Sequence, residues 1–88
     1  MEELTQAEKD AFMVFRVTGF FGKKPKPNVG RYYNAVADAL LAKNQEVTVD
    51  EVVQTLISLD QKGLLKCNDE KKTAHLTDKG YQQILQMG

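Results

Sequence analysis

The chain has 88 residues, 42% of them hydrophobic and 27% charged, with 12 basic residues against 12 acidic ones and a single cysteine. That length accommodates one domain, residues 1–88, around a modest core, and apolar residues recur in every long segment, which excludes a disordered chain. Zero net charge argues against a uniformly basic nucleic-acid binder; one cysteine excludes an internal disulfide and a cysteine-based zinc site, and no apolar run is long enough to span a bilayer.

Met1-Glu2-Glu3-Leu4 is acidic and lacks the basic start and apolar stretch of a signal peptide, so the chain is expected inside the cell, in the cytoplasm or, in a eukaryote, the nucleus. Thr5-Gln6-Ala7-Glu8 has capping-box spacing, and Ala11, Phe12, Val14 and Phe15 follow at helical intervals, so a first helix is predicted from about Gln6 to Val17. Gly19-Phe20-Phe21-Gly22-Lys23-Lys24-Pro25-Lys26-Pro27-Asn28 then breaks the pattern with two glycines and two prolines. Within it begins the strongest local charge imbalance: residues 23–31 hold Lys23, Lys24, Lys26 and Arg31 and no acid, a balance of +4.

From Val29 to about Lys43 the spacing predicts a second helix, its apolar stripe made by Val29, Tyr32, Tyr33, Val36, Ala37, Leu40 and Leu41, with Ala35, Ala37, Ala39 and Ala42 favouring helix. Val47, after a polar turn, is expected to pair briefly with a strand. Thr48 and Glu51 form a second capping box. Val49, Val52, Val53, Leu56, Ile57 and Leu59 make a buried face, and Gly63 suits a left-handed closing residue. Leu64 to Cys67 and Thr73 to Leu76 read as two strands around the polar tip Asn68-Asp69-Glu70-Lys71-Lys72. Thr77 or Asp78 caps a last helix bearing Tyr81, Ile84 and Leu85.

Leu56, Leu59, Gly63 and Leu64 stand in the spacing Leu-x-x-Leu-x-x-x-Gly-Leu, and Leu76-Thr77-Asp78-Lys79-Gly80 in the spacing Leu-Thr-x-x-Gly. The stretch from Val36 to Leu85 thereby resembles winged-helix transcription regulators of the MarR and PadR kinds. The resemblance implies a mainly α fold with a small β-hairpin, a winged helix-turn-helix of three to four helices plus a wing. It also implies a DNA-binding regulator of transcription, commonly dimeric. In that reading double-stranded DNA is held by Lys23, Lys24, Lys26 and Arg31, by the wing lysines Lys71 and Lys72, and by Gln54, Thr55, Ser58 and Gln61 of the helix before the wing, whose polar groups can bond base edges.

Two features depart from that pattern. The helix before the wing carries Asp50, Glu51 and Asp60 against Lys62, a balance of −2, and Asp69 and Glu70 offset Lys71 and Lys72 at the tip. The alternative is therefore a winged helix that binds another protein, since such folds also serve as interaction modules. Phe12, Phe15, Phe20, Phe21 and Tyr81 suit either a monomer core or a homodimer interface.

No enzyme, cofactor or metal centre is expected. His75 is the sole histidine and has no spacing that links it to a nucleophile, and Cys67 reads as a small buried hydrophobe. Gly19-Phe20-Phe21-Gly22-Lys23-Lys24 is too short for a phosphate-binding P-loop and lacks the following Ser or Thr. Two phenylalanines do not suit the Gly-x-x-Gly loop of a KH domain.

Overall fold

The computed structural model describes residues 3–18, 25–43 and 46–87. In chain order it contains α1 (Gln6–Met13), β1 (Gly30–Tyr32), α2 (Tyr33–Lys43), α3 (Val49–Gln61), β2 (Leu65–Asn68), β3 (Thr73–Leu76) and α4 (Asp78–Met87). The three strands form one antiparallel sheet in the order β1-β3-β2. The fold of the described residues is thus mixed α and β, four helices against a small sheet.

Both expected N-caps begin helices, the first as a full capping box and the second with the Thr48 half alone. Thr5 accepts the Glu8 N–H and Glu8 answers by accepting the Thr5 N–H; Thr48 accepts the Glu51 N–H at 3.2 Å. The first helix ends at Met13 rather than Val17. Val14, Phe15 and Arg16 donate to the carbonyls of Ala11, Phe12 and Met13, a three-residue repeat that tightens the last turn and still carries Phe15 into the core. Gly63 has φ +79° and closes α3 as a left-handed residue that carries no Cβ penalty.

The segment from Val29 corrects the sequence reading. Gly30–Tyr32 is a strand, and the helix starts only at Tyr33. The cause is the open edge of β3, whose N–H and C=O groups need partners. Gly30 pairs with His75, Arg31 with Ala74 and Tyr32 with Thr73, while the Leu76 N–H reaches Val29 and the Tyr33 N–H reaches Lys72, both at 2.8 Å. Tyr32 therefore leaves the expected buried stripe and is 66% exposed. Val49, the first residue of α3, also lies outside its expected face, at 45% exposure. Val47 forms no strand and packs against the core edge instead.

Phe12, Phe15, Val36, Ala37, Leu40, Val52, Leu56, Leu59, Leu65, Ala74, Leu76 and Ile84 belong to one buried cluster that joins α1, α2, α3, the sheet and α4. Phe12 and Phe15 are fully inside it; Phe20 and Phe21 lie outside the described residues.

The Leu-Thr-x-x-Gly segment welds α4 to the end of α3. The Thr77 hydroxyl donates to the Gly63 carbonyl at 2.6 Å and accepts the Gly80 N–H at 2.9 Å. Lys79 Nζ caps α3 by donating to the Lys62 carbonyl at 2.8 Å. A Cβ on Gly80 would stand 2.1 Å from the Leu64 carbonyl oxygen, so the glycine is required by a close approach of backbone to backbone.

One buried carboxylate ties the first helix to the third. Glu8 is 4% exposed and accepts from Lys62 Nζ and Ser58 Oγ, each at 2.7 Å, and from the Thr5 N–H at 2.9 Å. The Lys62 ammonium foremost, then the Thr5 and Ser58 bonds, lower its pKa from 4.5 in a free carboxyl to about 2.

Two outcomes follow for stability. Because the folded state holds Glu8 ionised while the unfolded chain protonates near pH 4.5, this contribution is complete above that pH and is lost as pH falls towards about 2. Glu8→Gln should lower unfolding free energy at neutral pH by about 2–3 kcal/mol and flatten the acid limb of a pH–stability series in urea. Gly80→Ala should cost about 3 kcal/mol, at the upper end of overpacking, and lower Tm by more than about 10 °C. In a thermal melt Gly30→Ala should cost less, because the atoms its Cβ meets belong to the His75 ring, which can rotate away.

Candidate nucleic-acid interface

The sheet and its hairpin turn gather most of the described cations of the expected site. β2 alternates Leu65 inward, Lys66 outward, Cys67 inward and Asn68 outward, the two-residue period of a strand with one buried face. The Asn68 side chain accepts the N–H groups of Glu70 and Lys71 at 3.0 and 3.1 Å, and Lys72 adopts φ +55°. This fixes the turn and leaves Lys71 and Lys72 exposed at its tip. Arg31 is exposed on β1, the neighbour of β3, and Lys26 is exposed in the lead-in to β1. Lys26, Arg31, Lys66, Lys71 and Lys72 face Asp69 and Glu70 in this region, a balance of +3.

A groove runs between the start of α2, the start of α3 and the hairpin. It is lined by Tyr33, Asn34, Val49, Asp50, Val53, Asp69 and Lys72. The Tyr33 hydroxyl donates to Asp69 at 3.2 Å. Burial foremost, with the neighbouring Cys67 and Asp69, pushes the Tyr33 pKa well above the usual phenol value.

The charge of α3 is distributed differently from its sequence. Asp60 turns to the sheet and accepts the Cys67 N–H at 2.8 Å, and Lys62 is held by Glu8. Glu51 lies on the other side of the helix, beside Asp10, Lys43 and Thr55. Asp50 is therefore the one α3 carboxylate that lines the groove next to the hairpin.

The expected site residues separate accordingly. Gln54 and Gln61 are exposed on α3. Thr55 and Ser58 are turned away from that surface: the Thr55 hydroxyl donates to the Glu51 carbonyl at 2.8 Å, and the Ser58 hydroxyl donates to Glu8. Arg31, Lys71 and Lys72 come together around the β1–β3 edge, and Lys23 and Lys24 lie outside the described residues. Sequence reasoning missed Lys66, which the alternation in β2 could have placed outward. It also placed Tyr32 on a buried stripe, since a three-residue strand carries no readable period.

Cys67 sits half-buried in β2 against α3. Its thiol donates to the Leu56 carbonyl at 3.4 Å, and burial raises its pKa, which withdraws the reactive thiolate. Among the described residues no group of three or more His, Cys, Asp or Glu side chains is placed to hold a metal ion, and no helix is long and apolar enough to cross a membrane. No family model, curated protein or solved structure matches the chain.

The raised thiol pKa has a direct readout. At pH 7.5 a thiol reagent should modify native Cys67 at least about tenfold more slowly than the same residue in denaturant, because thiolate fraction and access both fall on folding. Equal rates would mean that the thiol stands open in the native protein.

Proposed function

We propose that this chain is a winged-helix module of the MarR and PadR kind that binds double-stranded DNA inside the cell and regulates transcription. In this reading α2 and α3 are the helix-turn-helix, and β2, β3 and their turn are the wing. The element order α1-β1-α2-α3-β2-β3 and the sheet order β1-β3-β2 support the fold assignment. The observation that carries the function is the +3 balance gathered on the sheet, its turn and the lead-in to β1, against the two carboxylates exposed on α3, Asp50 and Glu51.

The mechanism is dominated by phosphate contact. Lys71, Lys72, Arg31 and Lys26 neutralise backbone charge and release counterions, which supplies affinity. Gln54 is the α3 side chain best placed to approach a base edge from the exposed helix surface, with Gln61 at the far end of the same helix. Asp50 opposes deep insertion of α3 into the major groove, so the wing edge bears more of the contact than the helix.

A protein ligand is the second reading, favoured by the groove itself. Val49, Val53 and Tyr33 give it an apolar lining, and Asp50 and Asp69 outnumber Lys72 there, a surface suited to a peptide with a basic residue. A homodimer would use α4, where Leu85 is 38% exposed.

Fluorescence anisotropy with random-sequence duplex DNA, at about 50 mM and about 200 mM salt, separates these readings. The expected result is binding that weakens steeply with salt, with a slope that falls by about 2 in the Lys71→Ala, Lys72→Ala double variant. Absence of binding at the lower salt overturns the DNA reading and leaves the protein-ligand reading in its place.

A further inference from the structure

The outer face of the sheet carries a second kind of surface. Its residues, read across the strands, are Gly30, His75 and Lys66 in one row and Tyr32, Thr73 and Asn68 in the next. Gly30, Arg31, Tyr32, Thr73 and His75 line a shallow groove there. No carboxylate belongs to either row. Tyr32 is the most exposed large hydrophobic side chain of the described residues, at 66%. The Thr73 hydroxyl oxygen is buried without a hydrogen-bond partner. The His75 ring lies close over Gly30, where a Cβ would come within 2.8 Å of it.

We propose that this face seats a short single-stranded stretch of DNA, with one unstacked base against the Tyr32 ring and the backbone held by Lys66 across the face and by Arg31 at the sheet edge. The proposal rests on the DNA-binding reading above and extends it from duplex to opened strand.

Three observations favour this occupant over an apolar one. An aromatic ring on an open sheet offers a π-face to any base, which is how sequence-tolerant single-strand binders hold their ligand. Lys66 on the far strand brings positive charge into these rows and meets no acid in them, while Arg31, in register with buried Ala74, alternates to the other face and borders the groove only at the sheet edge. A strand pitch of about 4.8 Å and a two-residue step of about 7 Å place Tyr32 and His75 at a separation suited to neighbouring nucleotides.

The test is anisotropy with a labelled dodecathymidylate and, in parallel, a duplex of equal length, for the native protein and for Tyr32→Ala and Tyr32→Phe. Native protein should bind the single strand. Tyr32→Ala should weaken that binding about tenfold while Tyr32→Phe stays within about twofold, because the ring and not the hydroxyl does the stacking. Duplex affinity should change by less than about twofold in both variants, since phosphate contacts supply it. Thermal melts should coincide for all three proteins, as Tyr32 is exposed.

Equal single-strand affinity of native protein and Tyr32→Ala overturns the proposal, as does a Tyr32→Phe variant as weak as Tyr32→Ala. Duplex binding without single-strand binding overturns it while the DNA-binding reading stands. Failure to bind either form overturns both.

Discussion

Position in this protein is set by the Glu8 carboxylate. A buried ionised carboxylate is costly unless every lone pair finds a donor, and Glu8 finds Thr5, Ser58 and Lys62. Two of these donors are on or next to the last turn of α3, and the third is the cap of α1 itself. The pair therefore fixes the rotation of α3 about its own axis. With that rotation fixed, Leu56 and Leu59 point into the core and Gln54 points out, while Asp60 meets the first strand of the hairpin. The wing is aimed by the same constraint, because β2 begins four residues after the helix ends.

Electrostatics then separates into an inner and an outer set. Glu8, Asp60 and Lys62 are used to join elements, and their charges are absorbed by hydrogen bonds inside the molecule. Outside, around the proposed interface, stand Asp50 and Glu51 at the start of α3, where negative charge suits the helix dipole, and a cation-rich sheet and turn. A chain with no net charge thus presents a polarised surface, and association with a charged partner depends on the local field rather than the total.

The strongest local signals were legible in the sequence. Thr5, Thr48, Gly63 and Thr77 announced element ends because caps act through neighbours within a few residues. Leu56, Leu59 and Ile84 announced the core through helical period. β1 was not legible, since its strand character comes from pairing with residues more than forty positions away and Tyr32 and Tyr33 fit a helical stripe equally well. The orientation of Thr55 and Ser58 was hidden for a related reason: their partner face is α1, and the Ser58–Glu8 bond joins residues 50 positions apart. Of the expected interface, Lys26, Arg31, Gln54, Gln61, Lys71 and Lys72 emerged exposed, while Tyr32 was read as buried and is not.

The weld at Gly63, Leu64, Thr77 and Gly80 also bears on how the chain assembles. Its hydrogen bonds, like those of the β2–β3 hairpin, join residues close in sequence, so residues 48–87 can organise with little loop-closure cost. α1 and β1 join through pairings of long sequence separation. Sequence separation thus favours the C-terminal half forming first, in which case the amide protons of α3 and the hairpin should exchange through rarer openings than those of α1 and the edge strand. The surface proposed for single-stranded DNA includes that edge strand, so a step that docks β1 onto β3 would finish the fold and the site together.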